Sequence, residues 1–502
     1  MDFIMNFPFF SIVLSLFTSV VCFAFKSKRA RFVTYALLSV SILLSACVIL
    51  YNLNSETGYF VYRMGHYDAP IGNEISAGLL EPFFALLFEV VMLLSLLGGE
   101  KRIFSDIDES KHRLFYVMAN LAHAALVALC YTNDIFTAYV FVEICTIASC
   151  SLLMAKSSGR SLVAATRYMF FSLIGSGLLL VGIILTYAIT GHLLFPQIFE
   201  AVNNLWITGN YTVPLIIAIG LMVSGLAIKS GLFPFHLWMP ATYGTAPPAA
   251  SGILSGVISK GYIFLLFKIL FRAIGFKVFD ASGIQNILLA FGICGIIFGS
   301  ISAIRTNNIN FMIAYSSAAQ IGYIYMGIGM ESNAALMAAM LQIVAHALTK
   351  PLLFLAAGGL SDTVDGQQTF AALRSSAHNN RTAGVAYTVG ALSMVGIPIF
   401  AGFVPKLLFA ISAFDNTLNT YFVLGALAIS TILNVVYFLR TLINIYGPEK
   451  LHIHRSSFTF KKEGLFAIVV VVMTLLNLFV GLDSQPILSL LEKGIDLFIN
   501  LH

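Results

Sequence analysis

Charged and titratable side chains inside long apolar segments are the residues of this sequence that could do chemistry. The stretch LAIKSGLFPFHLWMP places Lys229 in an apolar run and follows it with Pro234 and His236. A charged side chain at the centre of a membrane helix costs about 2.5–3.5 kcal/mol on insertion scales, so such residues are usually paired or functional. Nine further charged or titratable residues lie inside such apolar segments: Glu81, Glu89, Glu143, Lys260, Lys268, His346, Lys350, Lys406 and Arg440.

Five of these charges lie too deep in their segments for a long side chain to reach the lipid headgroups, and we predict that they carry protons: Glu143, Lys229, Lys260, Lys350 and Lys406. Lysine suits proton transfer because burial favours its neutral form, whereas a nearby carboxylate favours its charged form. Glu143 is the candidate partner of Lys229. His346 lies four residues before Lys350, on the same helical face, and is predicted to relay protons. His236 and His123 are further relay candidates, although a structural histidine explains each of them as well.

The remaining charges have explanations that need no role in transport. Lys268 and Arg440 lie near the ends of their segments, where a long side chain reaches the headgroup region. Glu81 and Glu89 lie eight residues apart on one helical face. A structural pairing explains these two carboxylates as well as a role in transport does.

Prolines accompany three of the lysines: Lys229 with Pro234, Lys350 with Pro351, and Lys406 with Pro405. Proline removes the backbone hydrogen bond to the carbonyl four residues earlier. At membrane depth such a carbonyl must face protein or water. We therefore predict a helix break at each proline, with room for water and polar groups beside each lysine.

The elements that must position these residues follow from composition. The chain has 502 residues, of which 59% are hydrophobic and only 10% are charged, whereas soluble domains are about 25% charged. Apolar runs of about 20 residues, the length of a membrane helix, recur about fourteen times along the chain. We therefore predict an all-α polytopic membrane protein. The net charge of +5 does not indicate nucleic-acid binding, because its distribution between loops is what matters.

Lysine and arginine are distributed unevenly between the loops that alternate along this predicted topology. Eighteen fall on the side that begins with KSKRAR, and four fall on the other side: Arg63, Arg272, Lys277 and Lys493. Positive charge collects in cytoplasmic loops, so both termini are predicted to lie on the outer face.

Two further features bound the function. The six cysteines all lie in apolar runs without a C-x-x-C pair, and no dinucleotide- or ATP-binding motif occurs. We therefore predict neither a redox cofactor nor a bound metal. After the last apolar run, SQPILSLLEKGIDLFINLH has its apolar residues on one helical face, which favours a short helix lying at the membrane interface over a fifteenth span.

Four longer motifs carry a resemblance to a known family: FVEICTIASCSLL (141–153), KSGLFPFHLWMPATYGTAPPAASGILSGVISKGYIFLLFKI (229–269), HALTKPLLFLAAGGL (346–360) and GIPIFAGFVPKLLFA (396–410). The chain resembles the antiporter-like subunits of the respiratory complex I superfamily. These include large ion-pumping subunits of NADH–quinone oxidoreductase, their counterparts in membrane-bound hydrogenases, and large subunits of Mrp-type Na+/H+ antiporters. The segment YRMGHYDAPIG (62–72) is most similar to the D-type subunits of Mrp antiporters.

The resemblance implies about fourteen transmembrane helices with two inverted five-helix repeats, in which helices seven and twelve are broken. The expected division is an N-terminal three-helix segment (1–112), a first repeat (113–272), a second repeat (285–446), and a final helix with a short C-terminal helix (464–502). The resemblance also implies one polar axis along the membrane midplane for proton movement, formed by Glu143, Lys229, Lys260, His346, Lys350 and Lys406.

The leading interpretation is a proton-translocating subunit of a larger complex in a prokaryotic cell (inner) membrane. It would have no redox centre of its own, although the complex can be an oxidoreductase. Its partners would be other membrane subunits, protons and the lipid bilayer. The sequence does not decide whether Na+ also crosses this subunit. A stand-alone secondary carrier, and a structural subunit whose charges only pair helices, are the alternatives.

Overall fold

The computed structural model describes residues 3–67, 72–330, 332–415, 419–448 and 460–499. In these ranges the chain is almost entirely helical, and 12 helical stretches are long and apolar enough to cross a membrane. The predicted all-α polytopic membrane fold is therefore confirmed. Helix α15 (Ile309–Ile328) and the short pair α18 (Arg381–Val395) and α19 (Phe403–Ser412) lie at the two other predicted spans. The total of about fourteen spans and the inverted repeats stay predictions.

The N-terminal segment consists of three long helices, a short helix and a β-hairpin: α1 (Phe7–Ala24), α2 (Ser27–Asn54), β1 (Phe60–Arg63), β2 (Glu74–Ala77), α3 (Leu80–Gly98) and α4 (Glu100–Asp106). The two strands are antiparallel, with Phe60 opposite Ala77 and Arg63 opposite Glu74. Short 3-10 turns occupy Phe3–Asn6 and Met64–His66.

The middle of the chain continues with α5 (Glu109–Tyr131), α6 (Ile135–Met154), α7 (Gly159–Thr190), α8 (Phe195–Thr208), α9 (Thr212–Ser230), α10 (Met239–Thr245), α11 (Pro248–Ile253), α12 (Ser259–Lys268) and α13 (Phe276–Ala281). A 3-10 turn at Phe235–Trp238 precedes α10. Wide π-helical turns at Leu254–Ile258 and Ile269–Ile274 flank α12 and keep it continuous with α11.

The last part contains α14 (Ile284–Arg305), α15, α16 (Asn333–Asp362), α17 (Ser376–Asn379), α18, α19, a 3-10 turn at Ala413–Asp415, α20 (Thr420–Ile445), α21 (Phe460–Leu482) and α22 (Gln485–Ile499). Polar side chains determine where several helices begin, because each accepts a hydrogen bond from an otherwise unpaired backbone N–H. The capping residues are Asp134, Ser158, Asn308, Ser332 and Asn380.

Two helices form the centre of the bundle. The apolar parts of the continuous stretch Pro248–Ile274 and of α16 are entirely buried, whereas only 33% of the residues are buried in that of α2 and 39% in those of α7 and α20. Helix α7 packs closely on α9 because a side chain at Gly175 would lie 2.8 Å from the carbonyl oxygen of Gly225. Small residues permit such contact between membrane helices. The central helices therefore reach neither lipid nor water along most of their length.

Both predicted interruptions exist, but glycines and not prolines end the helices. Helix α9 ends before Gly231 (φ +83°) and α18 ends before Gly396 (φ +88°). In each case the residue after the glycine donates to the carbonyl five residues back, Leu232 to Ala227 and Ile397 to Leu392, at 2.9 and 3.1 Å. Glycine adopts this left-handed conformation without strain, which makes it the usual end of a helix.

The predicted helix breaks at the prolines therefore need correction. Pro234 lies in the turn that follows the end of α9. Pro405 is the third residue of α19, where the backbone N–H would have no partner within the helix in any case. Pro351 lies inside α16, which continues without interruption from Asn333 to Asp362, so the predicted break there is wrong.

The C-terminal helix α22 packs on the bundle with its apolar face. Leu491, Ile495 and Phe498 are buried, and the Phe498 ring contacts Phe264 with a centroid separation of 6.3 Å. This is the face that the sequence pattern indicated, and it contacts protein. The position of α22 relative to the membrane interface stays a prediction.

Candidate functional site

Glu143 and Lys229 are in contact between α6 and α9. The Lys229 Nζ lies 3.5 Å from Glu143 Oε1 and donates a hydrogen bond of 2.7 Å to Thr146 Oγ1. The Ser176 hydroxyl donates to the same Glu143 oxygen. The Lys229 side chain is 0% exposed and that of Glu143 is 27% exposed. One member of the pair therefore lies in the buried interior, and the other reaches the surface of the bundle at α6.

Lys260 lies in the buried centre of the bundle, and its hydrogen bonds go to polar groups close by on its own helical stretch. Its Nζ donates to the carbonyl oxygen of Ser255 and, at 3.1 Å, to Ser259 Oγ. Ser255 belongs to the π-helical turn before α12, and its hydroxyl contacts Ser317 Oγ of α15 at 2.9 Å. The wide turn therefore brings a carbonyl within reach of the ammonium group.

Lys350 is bound in a similar way from α16. Its Nζ donates to the carbonyl oxygen of Ile313 at 2.9 Å and to Ser316 Oγ at 2.5 Å, both on α15. In the described ranges, the contacts of Lys350 and Lys260 include no carboxylate. Two buried ammonium groups without a counter-ion are costly, which makes them candidates for gaining and losing protons.

His346 lies one helical turn before Lys350 and is completely buried. Both of its ring nitrogens lack a hydrogen-bond partner among the described residues. Lys260 and Lys350 are both near enough to act on it electrostatically. The structure therefore brings these three predicted residues together, and the unpaired imidazole lies where a proton could pass between the lysines.

Lys406 lies at the second interruption. Its Nζ donates to the carbonyl oxygens of Met394 and Val395 at 3.0 and 2.7 Å. These carbonyls end α18, where the helix dipole favours positive charge. The ammonium group also lies 5.3 Å from the centroid of the Tyr323 ring. Lys406 itself belongs to α19, and its ammonium group binds the end of α18, whereas Lys229 is a residue of the last turn of α9.

His236, the further relay candidate, lies in the 3-10 turn after the first interruption. It is buried, and its Nδ1 has no hydrogen-bond partner in the described chain. Its ring stacks on Phe233 at a centroid separation of 5.5 Å. It is not among the contacts that Lys229 makes in the described chain.

Several polar partners were not found from the sequence. Thr146 could have been, because it lies three residues after Glu143 on the same helical face. Ser176 and Ser316 carried no signal, since they come from other helices. Asn477 of α21 donates to Thr349 Oγ1 at 2.7 Å, and its Oδ1 accepts from the N–H of Ala401 at 3.4 Å. Asn477 thereby connects the segment after α18 to α16 through hydrogen bonds.

Two basic residues differ from their sequence-based interpretation. Lys268 was expected to reach the headgroup region, yet it is buried and donates to the carbonyl oxygens of Cys130 and Thr132 at 2.7 and 2.5 Å. Arg272 was expected in a loop, yet it is buried and its Nη1 lies 2.9 Å from Glu81 Oε1. Both expectations are wrong, because the hairpin and α22 cover Arg272, while the end of α5 and the start of α8 cover Lys268.

Arg440 lies at the surface, as its position near the end of an apolar segment indicated. It is exposed, and its guanidinium donates to the carbonyl oxygens of Ile304 and Thr306 at 2.9 and 2.7 Å. These carbonyls lie at the end of α14. The remaining candidate, Glu89, is buried and faces His123 at 3.7 Å.

Comparison with known proteins agrees with this arrangement. Residues 132–432 match the model of the family described as NADH:quinone oxidoreductase/Mrp antiporter, TM. The chain belongs to this family. The matched range includes all six predicted proton-carrying residues, from Glu143 to Lys406.

Relatives of known name extend the similarity over most of the chain. The D-type Na(+)/H(+) antiporter subunit of Bacillus subtilis is 24% identical over 99% of this chain and 97% of its own length. That of Alkalihalophilus pseudofirmus is 26% identical over 91% and 88%. The NADH-quinone oxidoreductase subunit N of Desulforudis audaxviator is 33% identical, over 66% of this chain and 64% of its own length.

Solved structures show the same fold. A chain of the Mrp complex from Dietzia sp. superposes with a TM-score of 0.88 at 19% identity, covering 100% of this chain and 98% of that chain. A chain of the archaeal membrane-bound sulfane sulfur reductase gives 0.85 at 23% identity, covering 99% and 97%. A chain of respiratory complex I from Thermus thermophilus gives 0.78 at 20% identity, covering 98% and 99%. The expected resemblance to the D-type subunits of Mrp antiporters and to the complex I superfamily is therefore confirmed.

Proposed function

We propose that this protein is an ion-translocating subunit of a multisubunit membrane complex and that it carries protons along its buried ionisable residues. The contact between Glu143 and Lys229 beside an interrupted helix is the observation that carries this proposal. An acid and an amine at membrane depth can exchange a proton when their separation changes. The six predicted residues would form one route, with Glu143 at its partly exposed end and Lys406 at the other.

The geometry supports a transfer mechanism based on charge. While Glu143 faces Lys229, the ion pair stabilises the ammonium group. When the pair separates, the buried charge loses its counter-ion and the proton is favoured to move on. Lys260 and Lys350 both act on His346, and repulsion between the two ammonium groups favours the loss of one proton when another is gained.

Exchange of Na+ for protons is the second element of the proposal. The relatives named as D-type subunits of Na(+)/H(+) antiporters align over nearly the whole chain, which supports a role in cation antiport by the assembled complex. The similar solved structures belong to multisubunit complexes, which supports other membrane subunits as partners. A stand-alone carrier has no such support.

The proposed location is a prokaryotic cell membrane, with both termini on the outer face. The loop charges support this orientation, since eighteen lysines and arginines fall on the side of KSKRAR. The imbalance increases when Arg272 is discounted, because this residue is buried in an ion pair. The proposed division into two inverted repeats rests on the two interruptions at Gly231 and Gly396, which share one backbone geometry.

The experiment is proton transport by the complex in everted membrane vesicles, followed with a pH-sensitive dye. Lys260→Ala and Lys350→Ala should each reduce transport at least tenfold if these lysines lie on the route. Arg440→Ala is the matched control, because this cation is exposed and donates to carbonyls at a helix end. Full transport by both lysine variants, with the complex assembled, would refute the proposed route.

A further inference from the structure

A second buried titratable pair lies outside the region that matches the family model. Glu89 of α3 and His123 of α5 are 0% and 1% exposed. Their nearest atoms, Glu89 Oε1 and His123 Nε2, are 3.7 Å apart. The proposed route from Glu143 to Lys406 does not use them. An unpaired charge at membrane depth is costly, so the protonation of the two groups must be linked.

The hydrogen bonds around His123 determine which ring nitrogen carries its proton. The hydroxyl of Ser15 donates to the carbonyl oxygen of Ser11 at 2.5 Å, so its only hydrogen is used. The same hydroxyl oxygen lies 2.9 Å from His123 Nδ1. It can therefore only accept from the imidazole, and Nδ1 must carry a hydrogen. Nε2 is left as the nitrogen that can gain or lose a proton, and it faces Glu89.

The number of protons at Nε2 and the carboxylate follows from this tautomer. Ser45 Oγ donates to Glu89 Oε1 at 3.1 Å, while Glu89 Oε2 and His123 Nε2 have no hydrogen-bond partner in the described chain. With no proton between them, an imidazole lone pair would face a buried carboxylate. One proton resolves this, either as an ion pair or as a neutral acid beside a neutral imidazole.

We propose that Glu89 and His123 together form a second proton-binding site, which holds one exchangeable proton in the N-terminal segment. The contacts that α1 and α2 make with the pair come from hydroxyl groups, those of Ser15 and Ser45. Cys130 and Tyr131 on α5 are the titratable neighbours of Glu89, and beyond them Glu81 on α3 and Lys268 on α12 lie near Cys130. Glu81 is paired with Arg272, and Lys268 is bound to backbone carbonyls, so neither can replace Glu89 or His123.

The test is a 15N nuclear magnetic resonance titration of the full-length protein in lipid with labelled histidine. The chain has 10 histidines, and the signal of His123 is assigned by its loss in His123→Gln. We expect Nδ1 to stay protonated throughout the titration, while the one exchangeable proton is gained or lost at Nε2. A tautomer with its hydrogen on Nε2 and a bare Nδ1, or an Nε2 that exchanges no proton while the protein stays folded, would overturn the proposal.

Two variants test the two halves of the geometry. Glu89→Gln should change the proton affinity of Nε2 by about tenfold or more, because it removes the facing charge with little change of shape. Ser15→Ala removes the acceptor of Nδ1–H and should let the tautomer with hydrogen on Nε2 appear. The matched control is Ser39→Ala, since the exposed Ser39 hydroxyl also donates to a carbonyl four residues back, and it should change neither signal.

These measurements do not depend on transport, so their outcome is separate from that of the proposed function. If Glu89→Gln does not assemble, Ser15→Ala still decides the tautomer. An unchanged His123 signal in both variants would contradict the site. An intact titration of His123 in Lys229→Ala would further show that the two sites are distinct.

Discussion

Removing either charge of the Glu143–Lys229 pair should slow ion transport about 100-fold. At a separation of 3.5 Å and an effective dielectric constant of about 20, the Coulomb energy is about 5 kcal/mol. Glu143 is 27% exposed, and Thr146 and Ser176 keep some hydrogen bonds. The cost should therefore lie near the lower end of the 3–5 kcal/mol typical of a broken buried pair. About 3 kcal/mol corresponds to a factor of about 100 in rate.

The assay is antiport or proton uptake by everted vesicles that contain the complex, with its amount measured by immunoblot. Glu143→Gln and Lys229→Ala are compared with the double variant. Because two groups that act as one unit are not additive, the double variant should be no slower than either single variant. The matched control is Asp108→Asn with Lys111→Ala, an exposed pair at 3.7 Å, which should change the rate little.

Two results would refute the reasoning. The first is a double variant whose defect equals the product of the single defects, since the groups would then act independently. The second is near-normal transport by either single variant in a complex of normal abundance. Either result would mean that the contact in the structure is not part of the route.

Three further predictions concern the scaffold. Gly231→Ala and Gly396→Ala should each lower the free energy of unfolding by about 1–2 kcal/mol or more, because both glycines have positive φ. Thermal unfolding in detergent measures this loss. The control Gly177→Ala should leave stability unchanged, because a side chain there meets nothing within 4 Å. Pro405→Ala should change stability by no more than about 0.5 kcal/mol and leave transport intact, because no helical bond is there to restore; slowed transport would contradict this. Glu81→Gln should destabilise the fold by about 3–5 kcal/mol, because it leaves the buried Arg272 without its counter-ion. Adding Arg272→Met should recover much of this loss. No recovery in the double variant would mean that Glu81 acts independently of Arg272.

The sequence alone determined the membrane fold and the identity of the candidate residues. Lipid cannot satisfy a charge, so Lys229, Lys350 and Glu143 are conspicuous in apolar runs without any knowledge of their neighbours. The length of those runs sets the helices, because the thickness of a bilayer is fixed. The motifs around these residues are long enough to indicate the family by themselves.

Only the tertiary structure decided which polar groups meet. Lys268 and Arg272 look like residues at a span end, yet both are buried. Segments distant in sequence cover them, α5 and α8 at Lys268 and the hairpin and α22 at Arg272, and no local pattern encodes such a cover. The partners Ser176 and Asn477 come from other helices, so their spacing along the chain carries no information about contact.

The helix interruptions also depend partly on the local sequence and partly on the tertiary structure. Proline removes one hydrogen bond, which suggested breaks at Pro234, Pro351 and Pro405. In the folded protein α16 passes through Pro351, and glycines end α9 and α18. A membrane helix tolerates one lost bond when its neighbours pack tightly around it. Whether a helix continues through a proline therefore depends on the surrounding helices, which the local sequence does not specify.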